Sequence, residues 1–300
     1  MSDPSSSIYD LGYQGYDGPR LGRAVVAVGL LRRSLAEAYG IGRGGRAKIA
    51  PFVLLGLAVL PAILAVGFAA LAAQAGADEQ VADASPIRHE TYQGLTSALV
   101  MLFCAAQAPE LFGRDQRYGV LPLYFSRVLT RADYALARTG GLFLAVLVIV
   151  LLPQLILTLG AAFAAADPIA GLVDDAPDIP RYLVVGVLSS GLLAGVAAVI
   201  AAWTPRRAYA TAVIIATFIV PPIVVALTSE LGAGDLARGL VLVSPGDLID
   251  GLNAGVFGTI PDSPAVAAAD LPEALFVVAT LVGIAAAAAI VLRRYLTVQT

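Results

Sequence analysis

The 300-residue chain contains one cysteine, one histidine and one lysine, and each scarcity removes a class of chemistry. Cys104 has no partner for an intrachain disulfide and cannot build a cysteine-rich metal site, so it reads as a small packing residue inside an apolar run. His89 stands between Arg88 and Glu90 in a polar connection, where the expectation is a solvated side chain rather than a ligand. The single lysine, Lys48, bears on nucleotide binding. GIGRGGRAK at 40–48 sets Gly40 and Gly45 at the separation of a phosphate loop, but position 46 is Arg, no Ser or Thr follows, and no buried strand precedes it. No Walker-type lysine exists anywhere in the chain, so any ATP that drives it must bind another subunit.

Charge is missing from six apolar stretches, 49–74, 92–109, 139–162, 182–203, 208–228 and 272–292, whose interiors hold no Asp, Glu, Lys, Arg or His. An ionisable group at mid-bilayer costs about 2.5–3.5 kcal/mol on insertion scales, so chains keep one there only for work such as proton relay. Its absence argues against a proton- or sodium-driven secondary transporter, although backbone carbonyls can also hold sodium. It argues equally against an intramembrane enzyme, which needs a nucleophile with a base, or a metal cluster. The polar groups that remain are hydroxyls and amides, read first as hydrogen-bonding contacts between helices. Among them Thr96, Gln107, Gln154, Thr158 and Thr217 are the candidates for lining a path suited to lipids or hydrophobic drugs.

What is abundant is apolar surface. A hydrophobic content of 58% and a mean hydropathy of +0.82 exceed what one soluble core of this size uses. The fold expected is an all-α polytopic membrane protein with six transmembrane helices, each stretch being about long enough to span a bilayer. The connections alternate in sign: 16 of the 19 Lys and Arg residues lie in the amino-terminal arm, the 110–138 loop, the Arg206/Arg207 turn and the Arg293/Arg294 tail, whereas 14 of the 22 carboxylates lie in the other three connections and a fifteenth, Glu273, stands at the external edge of the sixth stretch. By the positive-inside bias both termini are cytoplasmic. The net charge of −3 averages over these two sides and gives no reason to expect nucleic acid. Arginine outnumbers lysine 18 to 1, which suggests GC-rich coding and a bacterial, actinobacterial-type source, hence a multi-pass protein of the bacterial plasma membrane.

The organisation expected is a cytoplasmic arm over 1–20, an amphipathic interfacial helix and linker over 21–48, and a six-span domain over 49–300. The arm has no apolar core or cleavage site of a signal peptide. Val28, Leu31, Leu35 and Ala38 recur at helical spacing, with Arg32, Arg33 and Glu37 off that stripe. Such a helix suits the headgroup region, with membrane lipids as its partners; burial against another protein element is the alternative. Pro61, Pro153 and the Pro221/Pro222 pair remove backbone donors inside spans. Gly186, Gly191 and Gly195 permit close packing of the fourth span. The external segment 229–271 holds Ser244, Pro245 and Asp247 as a helix start, after an apolar run too short to span. It reads as a re-entrant or interfacial element, or as a helix over the bundle mouth.

The most specific segment is the 110–138 loop on the basic side, where Glu110, Arg114, Asp115, Arg117 and Arg127 mix with Leu121, Leu123, Tyr124 and Phe125. Thr130 is placed to cap a helix starting near Arg131. Charged and aromatic groups interleaved in this way suit the docking of another protein; a loop held at the headgroups by its arginines is the plainer reading. The order of an acidic residue ending the second span, Gly113-Arg114-Asp115, Arg117, Gly119-Val120-Leu121-Pro122-Leu123-Tyr124, Ser126-Arg127 and then Asp133-Tyr134 resembles the coupling region of bacterial ATP-binding-cassette permeases of the type-2 exporter family. Six spans, the preceding amphipathic helix and the external piece before the last span are similar to that family as well. Tyr9-Asp10-Leu11-Gly12-Tyr13 and Tyr16-Asp17-Gly18-Pro19-Arg20 resemble the arm of its actinobacterial members.

The resemblance implies a permease subunit with no catalytic residue or cofactor of its own, working with a second copy or a related permease on two ATPase subunits that hold ATP and magnesium. It also implies that Glu110, Arg114, Asp115, Arg117, Tyr118, Leu121, Pro122, Tyr124 and Arg127 form the coupling helix and its flank, which an ATPase groove receives. The other readings are a membrane scaffold or assembly protein that transports nothing, and a self-sufficient secondary transporter. A neighbouring gene for an ATPase favours the first.

Overall fold

In lipid no water is available for backbone N–H and C=O groups, so apolar runs of this length satisfy themselves as helices. A computed structural model describes residue 18 and residues 21–75, 87–126, 128–164 and 167–297. The expected arm over 1–20, Gly18 apart, and Arg127 therefore lie outside the described residues. Every regular element among the described residues is helical: α1 (Arg23–Ala38), α2 (Arg46–Gln74), α3 (His89–Ala108), a π-helical turn (Pro109–Gly113), α4 (Arg114–Arg117), α5 (Leu121–Phe125), α6 (Arg131–Ala164), α7 (Pro168–Asp175), α8 (Asp178–Trp203), α9 (Arg207–Glu230), α10 (Gly234–Val241), α11 (Pro245–Phe257), α12 (Pro264–Ala269) and α13 (Glu273–Thr297). Among the described residues six helical stretches are long and apolar enough to cross a membrane: Arg46–Ala72, His89–Arg117, Arg131–Phe163, Asp178–Trp203, Arg207–Glu230 and Glu273–Thr297.

These six coincide with the apolar stretches but reach further into charged sequence. The second continues to Arg117 and the third begins at Arg131, so only 118–130 connects them. Two local devices account for the extension. Pro109 has no N–H for the Ala105 carbonyl, and the Thr211 hydroxyl donates to that carbonyl at 2.8 Å while the chain widens into the π-helical turn. At the other side the Thr130 amide donates to Asp133 Oδ2 at 2.9 Å and the Asp133 amide donates to Thr130 Oγ1 at 3.2 Å, a reciprocal cap that starts α6 at Arg131 as the sequence suggests.

α6 is the central element and packs against α1, α2, α3, α8 and α13. Its Leu142, Ala145, Val146 and Ile149 are wholly buried. α1 lies across its start at Gly141, where a side chain would run into Ser34. The buried stripe of α1 is accordingly Leu30, Ser34 and Ala38, with Leu31 and Leu35 at its edge, whereas Val28 faces outward. Close packing through glycine also holds for α8: a Cβ on Gly186 would sit 2.5 Å from Leu151, and Gly191 and Gly195 abut Ile284 and Ala287 of α13. Only 22% of the spanning windows of α2, α9 and α13 is buried, against 56% in those of α3 and α8. The outer helices thus present broad apolar faces, such as Leu57, Leu60 and Leu64 on α2, that suit lipid or another apolar surface.

The segment between the fifth and sixth spans folds into the acidic end of the bundle. α10 and α11 meet at 83°, and α11 buries Leu248, Ile249 and Leu252 against α3, α8 and α13. Gly258, with φ 71°, ends it in the left-handed region open to glycine. Ser244 stands at the expected helix start, yet its side chain makes no capping bond, and Asp247 Oδ1 instead accepts from the Ser263 hydroxyl at 3.1 Å.

Candidate functional site

At the basic end, Arg138 in the second turn of α6 is among the most completely buried side chains. Its Nη1 donates to Glu37 at 2.6 Å and to Ser34 Oγ at 3.2 Å, both on α1, and its Nη2 donates to Asp115 of α4 at 2.5 Å. Asp115 also accepts from the Tyr134 hydroxyl at 2.7 Å. A guanidinium is suited to this place because its donors diverge in one plane and reach two carboxylates at once. Burial pushes the Glu37 carboxyl upward, but Arg138 and Arg33 outweigh it and hold the group below its ordinary value.

The flanking residues carry the same construction outward. Glu110, in the π-helical turn, pairs with Arg43 at 3.1 Å and with Arg207 of α9 at 2.8 Å. Gln116 Nε2 donates to the Ala202 carbonyl of α8 at 3.0 Å and to the Tyr295 hydroxyl of α13 at 3.2 Å. Tyr134 stacks obliquely with Tyr124 and Tyr295 at 5.3 and 5.1 Å. The segment from Glu110 to Tyr124 is therefore fixed to α6, α8, α9 and α13, and through Arg138 to α1.

The residues implied by the family resemblance divide into two sets. Glu110, Asp115, Leu121 and Tyr124 face the bundle, Asp115 and Leu121 being buried and the other two half-buried. Arg114, Arg117, Tyr118 and Pro122 are exposed, and together with Leu123 they leave aromatic and apolar groups among cations on the outer surface, Tyr118 being 72% and Leu123 67% exposed. Arg127 falls outside the described residues.

Of the polar groups proposed for a path, only Gln154 and Thr158 come together. They meet His89 at the acidic end, where the histidine is buried rather than solvated: its Nδ1 lies 2.6 Å from Gln154 Oε1, its Nε2 lies 3.2 Å from Asp175 Oδ2, and its ring stacks on Tyr182 at 5.1 Å. Gln154 Nε2 returns a bond to the His89 carbonyl at 3.2 Å, and Thr158 lies 3.5 Å from the Tyr182 hydroxyl. The bond from His89 holds Asp175 below the ordinary carboxylate range, against the upward push of burial. Thr96 and Thr217 spend their hydroxyls on their own helices, bonding the carbonyls of Tyr92 and Val213. Gln107 is buried in α3 apart from that cluster.

Arg138 and His89 carry the two polar centres; the first is one arginine among 18, and the second, although the single histidine, reads as solvated from its polar neighbours. The signal for Arg138 is the Gly140-Gly141 pair just after it, which marks the close approach of another element. For His89 it is Gln154 and Thr158 one turn apart on a span otherwise apolar. No group of three or more His, Cys, Asp or Glu among the described residues is arranged to hold a metal ion. No protein-family model matches the sequence, and no curated protein is significantly similar to it.

Proposed function

We propose that this chain is the transmembrane permease subunit of an ATP-driven exporter of the type-2 ATP-binding-cassette kind. It sits in the bacterial plasma membrane with both termini cytoplasmic and works beside a second copy or a related permease. A separate ATPase subunit holds ATP and magnesium and receives the exposed side of the 114–123 segment.

One observation supports this reading above the others. The outward patch of Arg114, Arg117, Tyr118 and Leu123 lies on a segment whose inner side is tied through Glu110, Asp115 and Gln116 to four helices of the bundle. A partner pushing on that patch moves the ion pairs with it, and with them α1, α6 and α9, because packed interiors transmit displacement rather than absorb it. A loop serving only to bind headgroups has no need of such anchoring. The scarcity of ionisable groups in the spans fits a permease that takes its energy from outside the membrane.

The test is co-expression with an ATP-binding-cassette ATPase subunit from the same genome, followed by purification of the complex and measurement of ATP hydrolysis. Tyr118→Ala combined with Leu123→Ala is expected to leave the permease folded while the ATPase no longer co-purifies. Unchanged co-purification and unchanged hydrolysis would rule out this segment as the coupling surface.

A further inference from the structure

We propose that the cavity of about 650 Å³ at the acidic end, between α3, α9 and α11, is a binding site for an organic cation with an apolar body. Its floor is apolar, formed by Met101, Leu193, Phe218 and Ile219. Asp247, Asp250 and Asp262 also line the cavity, and among the described residues no Lys, Arg or His does. The volume falls within the range of pockets that enclose drug-sized molecules, roughly 300–1,000 Å³.

The hydrogen-bond inventory distinguishes these carboxylates from one another. Asp250 is committed to the fold, its two oxygens accepting from the amides of Asp262 at 3.1 Å and Ser263 at 2.9 Å. Asp247 has spent one oxygen on the Ser263 hydroxyl, and its Oδ2 has no partner. Gln93 Nε2 and Asn253 Oδ1 are also without partners. Yet Gln93, Asp247 and Asn253 are only 4%, 4% and 7% exposed, and all three line the cavity. Proteins seldom leave three such groups unsatisfied around one space, since each costs about 1–3 kcal/mol.

The class of ligand follows from these groups. An anion would meet three carboxylates and no cation. A bare metal ion lacks a cluster of acidic or imidazole ligands among the described residues and gains nothing from the apolar floor. A zwitterionic headgroup would bring its own phosphate against the carboxylates. An ammonium or phosphonium centre on an apolar frame answers both halves of the site, with charge at the carboxylates and hydrocarbon over Phe218 and Met101.

The chain alone, purified in a non-ionic detergent, suffices for the test, so the result does not depend on any ATPase. Equilibrium dialysis compares tetraphenylphosphonium with tetraphenylborate, which have nearly the same shape and opposite charge. The phosphonium is expected to bind saturably and the borate not to compete. Asp247→Asn, which keeps an oxygen for Ser263, is expected to weaken phosphonium binding at least about tenfold. Ala98→Trp, on the accessible α3 wall, is expected to abolish binding by filling the space while leaving every charge in place. Unfolding midpoints confirm that each variant is folded, and either variant alone decides the matter if the other is not. Equal binding of the two ions, or phosphonium binding unaffected in a folded variant, overturns the proposal.

Discussion

Arg138 and Asp115 meet at 2.5 Å, one in the second turn of α6 and the other beyond the π-helical turn that follows α3. Between them lie the 118–130 connection and the exposed patch, so this pair closes the base of the loop. The same guanidinium holds Glu37, and the three charges fasten both α1 and α4 to one residue of α6.

Removing Asp115 leaves Arg138 with Glu37 alone and takes the acceptor from the buried Tyr134 hydroxyl. Asp115→Ala is expected to destabilise the protein by about 3–5 kcal/mol, the usual cost of breaking a buried ion pair from one side. Arg138→Lys is expected to recover only part of what Arg138→Ala loses, because a single ammonium cannot serve both carboxylates in their planes. Thermal unfolding in detergent, followed by the loss of helical circular dichroism, measures both. An Asp115→Ala midpoint equal to that of the parent would show the pair to be dispensable.

Acid should loosen α1. Glu37 has a folded value below its ordinary 4.5, so its contribution is complete above that pH and is lost as pH falls through the lower folded value. The pair is partly open to solvent, which limits the effect to less than about 1 kcal/mol. Glu37→Gln is expected to flatten the decline of the unfolding midpoint below about pH 4.5, relative to the parent. Parallel curves for the two proteins would show that another carboxylate governs the acid limb.

Orientation has a direct test in thiol labelling. Asp174 and Arg206 are exposed at opposite ends of α8, and Cys104 is buried, so Cys104→Ala gives a suitable background. Asp174→Cys is expected to react with a membrane-impermeant maleimide on intact cells, and Arg206→Cys only after permeabilisation. Reaction of both from one side would refute the six-span arrangement.

The spans were legible in the sequence because a bilayer imposes length and apolarity on every one of them. Their ends were not, since charged residues such as Arg114 and Arg131 continue a helix readily once the Thr130–Asp133 cap or the Thr211 bond to Ala105 is present, and those partners are supplied by local geometry or by distant helices. The outward patch was legible as mixed charge and aromatic character, but not which of its members turn inward. Asp115 and Arg117 read alike as loop charges, and only the position of Arg138 separates them. His89 was misread for the same reason, because Gln154 and Asp175 lie far along the chain.

The π-helical turn at Pro109–Gly113 acts as a phase correction. Each residue of a regular α-helix advances the side chains by about 100°. Had these five residues continued the geometry of α3, Asp115 would be rotated by about that angle and Arg138 would keep Glu37 but lose its bond to Asp115. By absorbing one residue, the turn lets the apolar half of this long helix keep the register its packing needs while the charged half keeps another. A deletion of one residue within the turn would preserve both registers, whereas the same deletion in the middle of α3 would set the two halves against each other.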